Sequence, residues 1–392
     1  MQLPPWGGRR SGRETAVSFD RIILWVVAAG LVLGGVDKIF GGKLGLGAKF
    51  EEGFQSMGPL ALGMVGILCL TPIITRVVGP AVTPLFQAVG VDPGMLGSIL
   101  ANDMGGYPLA MDLAVDERAG LLGGAIVSSM FGTILVFHIP VGLGLIPKEK
   151  HGWFAQGLLV GFITTPIGSI VGGLVAGFPV GLILRNMTPI IIISVLLGLG
   201  LRFVPKAMVT GSLWFGRLVT ALIYFGLICA GFEAITDVTI LPGMAPIGEA
   251  MASVGHIAVV LAGTFPVLYI LMKVLDKPLK ALGRRMGLDA TSTAGMIFAL
   301  ANSVPVFTMI KDMDKKGTIL NTAWAITVGA AFGDHLGYTA GVRPDMIVPM
   351  IAAKLTAGLC AVVIVLVWFR GKKTSLESGA AGAVPINESG RA

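Results

Sequence analysis

Residues 101–113 read ANDMGGYPLAMDL, and they lie between long apolar segments where a membrane-embedded chain should carry few polar atoms. Asp103 stands in the middle of this stretch. A carboxylate at membrane depth costs about 2.5–3.5 kcal/mol on insertion scales. Gly105 and Gly106 loosen a helix, and Pro108 removes a backbone donor. Interrupted backbone at that depth is tolerated only where protein covers it or where it lines a wet cavity. A polar, Gly/Pro-interrupted apolar segment is therefore a pointer to the binding site of a transporter.

Composition agrees. The chain has 392 residues, of which 54% are hydrophobic and only 13% charged; a soluble domain carries about 25% charged residues. No long polar stretch separates the apolar segments, so the expected fold is all-α, a polytopic helical membrane protein with about ten or eleven membrane segments. The net charge of +7 comes from short Lys/Arg clusters at segment ends. That is the pattern of membrane topology, with the lipid bilayer as partner and no nucleic acid. Cys69, Cys229 and Cys360 are far apart and inside apolar segments, with neither metal spacing nor a disulfide framework. No metal site and no cofactor are expected. Motifs for enzymes are absent too: there is no HExxH, P-loop or GxSxG.

Along the chain, residues 1–18 form a polar arm expected to be disordered, and an uncleaved first helix follows. The transporter domain covers 19–370, and a Ser/Gly/Ala-rich tail, 371–392, is again expected to be disordered. Within the domain two internal repeats are legible. ANDMGGYPLAMDL from Ala101 aligns with ANSVPVFTMIKDM from Ala301, and AIVSSMFGTILVF from Ala125 with AITVGAAFGDHLGY from Ala325. Upstream, Val89-Gly90-Val91-Asp92 matches Met286-Gly287-Leu288-Asp289. Repeat 1 runs over about 20–177, a linking helix over about 182–203, and repeat 2 over about 206–369. The two unusual segments are expected to be broken or re-entrant. If both span, matching helices point the same way; if the first re-enters, the halves are inverted. The basic clusters leave that choice open, and the N-terminus is expected on the cytoplasmic side.

The candidate site residues come from these segments: Asn102, Asp103 and Tyr107 in the first, Asn302 and Ser303 in the second, and Asp334 and His335 in the GDHLG stretch. A carboxylate beside a histidine inside an apolar segment suits a cation site or a proton relay. Lys354, one segment later, is the expected ion-pair or gating partner of Asp334. The plainer alternative is an ion pair that only holds helices together. Thr164-Thr165-Pro166 reads as another helix break. Phe131, Trp324 and Tyr338, with Tyr107, are aromatics that either pack or meet an amine. Glu51 and Glu52 lie in a loop and read as a solvated pair.

EEGFQSMGPLALGMVG, ANDMGGYPLAMDLA, LANSVPVFTMIKDMDKKG and AAFGDHLGYTA, in that order over about Asp20 to Phe369, resemble the EutH-type ethanolamine permeases of bacterial ethanolamine utilisation. The resemblance implies a multi-pass permease of the bacterial inner membrane that takes up the small amine ethanolamine, with no catalytic residue. Ethanolamine is an ammonium ion at neutral pH, as lysine-like amines are. A site for it needs a carboxylate for the cation and neutral polar groups for the hydroxyl. Other readings are a permease for another small amine or amino acid and, from another class, an intramembrane aspartyl protease, for which Phe332-Gly333-Asp334 lacks the first glycine of GxGD. The assembly, monomer or homo-oligomer, is left open.

Overall fold

The computed structural model describes residues 19–99 and 106–380. Asn102, Asp103, the polar arm and residues 381–392 lie outside the described residues. Among those described there are helices and no strand. Among the described residues seven helices are long and apolar enough to cross a membrane, and one bent pair makes an eighth.

The first half begins with α1 (Phe19–Ile39), an amphipathic α2 (Leu46–Gln55) and the long α3 (Met57–Ala88). At Gly90 the chain turns through the left-handed region (φ 73°), which favours glycine. Asp92 then caps a short 3-10 helix, Pro93–Ser98, by accepting the Gly94 N–H at 2.8 Å. After the undescribed stretch comes α4 (Gly106–Leu113). The 3-10 helix and α4 run antiparallel, because a Cβ on Gly94 would meet Ala110 and Ala114 while one on Gly97 would meet Gly106 and Ala110. Asp92 also accepts the N–H groups of Val115 and Asp116, at 3.1 and 2.9 Å. One carboxylate thus joins the start of the 3-10 helix to the end of α4, so that these two antiparallel elements begin and end at the same face.

A broken helix follows. It consists of α5 (Glu117–Leu121), π-helical turns Leu122–Val127, α6 (Phe131–Thr133), π-helical turns Ile134–His138 and α7 (Ile139–Leu145). Its two parts bend by 42° across the break at Ser128–Met130. Then α8 (His151–Val175) crosses back and α9 (Val180–Phe203) crosses again.

The second half repeats the order: α10 (Pro205–Thr236), α11 (Ile247–Arg285), a left-handed Gly287 (φ 66°), and Asp289 capping α12 (Ala290–Ala299). A hairpin is formed by α12 and α13 (Ser303–Met309). Asn321 ties its start by donating to the Ser292 carbonyl at 2.9 Å. Lys150 ties its end by donating to the carbonyls of Ile310, Lys311 and Met313. The second broken helix is α14 (Lys315–Val328) and α15 (Asp334–Val342), interrupted at 329–333, and α16 (Ile347–Ala380) closes the bundle.

The two broken helices run antiparallel. The start of the first, Glu117, pairs with Arg343 at the end of the second at 2.6 Å. The end of the first, at Lys150, reaches the start of the second at Met313. Packing crosses between halves in the same sense: α1 lies on α11, α3 on α10, and α8 on α16.

Of the two alternatives left open for the unusual segments, the pairs Pro93–Ser98 with α4 and α12 with α13 are hairpins, and among the described residues seven or eight helices, not ten or eleven, are long and apolar enough to cross. Two further expectations change. The helix α16 continues to Ala380, past the expected start of the tail, because Lys372 to Glu377 hold no proline. The Thr164-Thr165-Pro166 point is not a break. There α8 is continuous, and both threonine hydroxyls donate to carbonyls one turn back.

Close approach in lipid favours small residues. On α8, a Cβ at Gly168 would run into the Ala353 carbonyl and Ala357 of α16. Gly168→Val should therefore destabilise the purified protein by about 1–3 kcal/mol, read as a lower melting temperature in detergent, whereas Gly181→Val, which meets open space, should not.

Candidate functional site

The two breaks meet at the centre of the bundle. In the first, Lys354 of α16, only 1% exposed, donates from Nζ to the Ser129 carbonyl at 2.6 Å. In the second, Ala330 adopts φ 59°, unusual for a residue with a Cβ. The freed N–H groups of Ala330 and Phe332 donate to the Ala299 and Leu300 carbonyls of the hairpin. Every one of these partners comes from another segment, which is the condition under which interrupted backbone survives at membrane depth.

Beside the breaks lies a cavity of about 300 Å³, lined by His138, Asn302, Ser303, Asp334 and His335 and walled by Met64 and Phe137. That is the small end of the range for ligand pockets. Asn302 caps α13 by accepting the Val304 N–H on Oδ1 at 2.8 Å, a bond that does not use its amide NH2. Asp334 opens α15 and accepts the His335 N–H on Oδ1 at 3.1 Å. His335, 2% exposed, sits within electrostatic reach of both Asp334 and Lys354. His138, 3% exposed, holds Nε2 3.0 Å from Ser303 Oγ. Its ring stands edge-to-face on Phe307.

Of the residues singled out in the sequence, Asn302, Ser303, Asp334 and His335 line this one cavity, and Lys354 lies next to it. Asn102 and Asp103 are outside the described residues. Tyr107 is elsewhere: it packs edge-to-face on Tyr338, near Arg343. Phe131 packs on Phe162, and Trp324 donates to the Met296 carbonyl. Glu51 and Glu52 pair with Lys38 and Lys49 on the surface of the protein. His138 was not anticipated. It sits in the apolar run ILVFHIPV, and its partner is 165 residues away.

A second, open recess of about 420 Å³ lies at the face where α1 begins, lined by Asp20, Glu117, Arg118, Arg343 and Asp345. Arg343 joins Glu117 to Asp345 there. Nearby, the Arg118 guanidinium bonded to Asp116 holds that carboxyl below the usual range. The central cavity is thus chemically distinct from the surface: one carboxylate, two imidazoles, two hydroxyls and an amide, with the buried Lys354 ammonium beside it. It can hold a small cation that also carries a hydrogen-bonding group.

Comparison with known proteins points the same way. The family model described as "Ethanolamine utilisation protein, EutH" matches residues 19–368. A Listeria monocytogenes protein named "Probable ethanolamine permease EutH" is 48% identical over 349 residues, 89% of this chain and 94% of that one. An Escherichia coli protein of the same name is 38% identical over 389 residues, covering 89% and 95% of the two chains. The Bacillus subtilis protein YxeR is 39% identical, with 86% and 92% covered. No solved structure matches.

Lys354→Met removes the donor to the Ser129 carbonyl. A buried acceptor left unmade costs about 1–3 kcal/mol, so the melting temperature of the purified variant in detergent should fall. An unchanged value would show that Lys354 does not hold the break.

Proposed function

The chain belongs to the EutH family of ethanolamine utilisation proteins, and from that membership we propose that it is a permease carrying ethanolamine, as its ammonium ion, through the cavity between the two broken helices. The Listeria and Escherichia relatives are named as probable ethanolamine permeases, which supports a transporter. The observation that carries the reading is Asp334: a carboxylate in a small central cavity, flanked by neutral hydrogen-bonding groups, where two antiparallel broken helices meet. Asp334 attracts the ammonium, and Ser303 and Asn302 serve the hydroxyl. Lys354 is the protein's own cation in that place, so an incoming ammonium competes with it. The matched Gly90/Asp92 and Gly287/Asp289 turns and the antiparallel broken helices support two inverted repeats, about 20–177 and 206–369, joined by α9. Such repeats give alternating access by rocking one against the other.

Orientation in the bacterial cytoplasmic membrane follows from charge. Counting the hairpins as returning, Lys148, Lys150, Arg202, Lys206, the run from Lys273 to Arg285, and Lys311, Lys315 and Lys316 fall at one face. Asp116, Glu117, Glu233, Asp237, Glu249 and Asp345 fall at the other, where α1 begins. The positive-inside rule puts the Lys150 face in the cytoplasm. The N-terminus is then outside, against the expectation from the first helix alone; the arm's Arg9, Arg10 and Arg13 are outweighed. With native cysteines replaced, Val238→Cys should react with an impermeant maleimide on intact cells, and Lys277→Cys only after lysis. The opposite pattern would reverse the orientation.

Transport itself is tested in proteoliposomes. Entry of a cation is driven by about 2.3 kcal/mol per charge per 100 mV. Labelled ethanolamine should accumulate under an interior-negative potential at equal pH, and Asp334→Asn should reduce uptake at least tenfold. Uptake indifferent to potential and to Asp334 would rule out this reading.

A further inference from the structure

His138 and Ser303 form a buried pair with an incomplete set of hydrogen bonds. Nε2 of His138 faces Ser303 Oγ at 3.0 Å, while Nδ1 is buried with no partner. A neutral imidazole carries one ring proton, and its position decides what Ser303 can do. With the proton on Nδ1, the structure would leave a buried N–H donor orphaned, which is rare and costly. With the proton on Nε2, the ring donates to Ser303 Oγ and leaves only an unfilled acceptor at Nδ1. The second tautomer is the cheaper one.

Its consequence falls on Ser303. A hydroxyl has one proton to give. Once Oγ accepts from His138, that proton is not needed by the ring, and Ser303 is 3% exposed at the cavity wall. Ser303 is held from behind as well. Its Cβ lies against Gly329 in the break of the second helix, where any side chain would meet it. The His138 ring is fixed by Phe307, which packs in turn on Phe154.

Resting on the permease reading, we infer that His138 is a positioning residue that fixes Ser303 as a hydrogen-bond donor into the cavity, so that the site recognises an oxygen lone pair on a small ammonium substrate. The pair then sets specificity. An amine of the same size without that oxygen leaves a buried donor unmade, and sites built to bond a hydroxyl discriminate strongly against analogues that lack it.

The test is a binding competition on purified, full-length protein, using labelled ethanolamine displaced by unlabelled ethanolamine or by ethylamine. The quantity read is the ratio of the two affinities, which does not depend on how much of a preparation is folded. The wild type should favour ethanolamine by about tenfold or more, the value of one well-made hydrogen bond. Ser303→Ala and His138→Phe should each bring the ratio towards one. His138→Gln, whose amide can still donate to Ser303, should retain most of it. A ratio that survives Ser303→Ala or His138→Phe would falsify the inference while leaving the permease reading intact. If the wild type binds neither amine, the permease reading fails, and this inference with it.

Discussion

The bond from Lys354 to the Ser129 carbonyl states the constraint under which the rest of this protein is built. Backbone groups freed in the middle of a bilayer find no water and must be met by other parts of the chain. Here a lysine from the last helix meets one break, and the hairpin carbonyls of Ala299 and Leu300 meet the other. Each break is therefore held by another segment: the first by a helix of the other half, the second by the hairpin of its own half. The same packing brings Asp334, His335, His138 and Ser303 into one cavity. It also accounts for the small residues of α8: Gly168 and Gly172 bring α16, and with it Lys354, close to the first break.

The two faces of the bundle are tied by different chemistry. At the Asp20 face the tie is the ion pair from Arg343 to Glu117, with the glutamate 64% exposed. Pairs this exposed are worth about 0–1 kcal/mol. At the Lys150 face one ammonium caps three carbonyls at the end of the hairpin. Both ties follow a broken helix directly, just before or within a short 3-10 turn, at Lys148–Lys150 and Pro344–Met346. Similar positions in the two halves thus carry a cation that ties opposite faces of the molecule.

Much of this was legible in the sequence. Composition gave the class, and the ANSVP segment located the turn between α12 and α13. Gly90-Val91-Asp92 and Gly287-Leu288-Asp289 carry the local chemistry of a left-handed turn followed by a cap, and the structure forms that turn and cap at both places. What the sequence left open was whether those segments cross. A hairpin and a span of similar length share the same composition, and the difference lies in a long-range bond, from Asp92 to the N–H groups of Val115 and Asp116. The residues lining the candidate cavity were legible only where a polar residue stood in a recognisable motif. Asp334, His335, Asn302 and Ser303 met that condition. His138 did not, being a single histidine in an apolar run. Thr164-Thr165-Pro166 misled in the other direction, since the threonine hydroxyls bond their own turn and α8 stays whole.

The most direct measurement of the central claim is an experimental structure of the protein in lipid nanodiscs with ethanolamine bound. The account expects density for the amine between the Asp334 carboxylate and the Ser303 hydroxyl, with its nitrogen at the carboxylate and its oxygen within hydrogen-bond distance of Ser303. Ethanolamine seated instead in the recess at Asp20, Glu117 and Asp345, with the central cavity occupied by side chains alone, would contradict it.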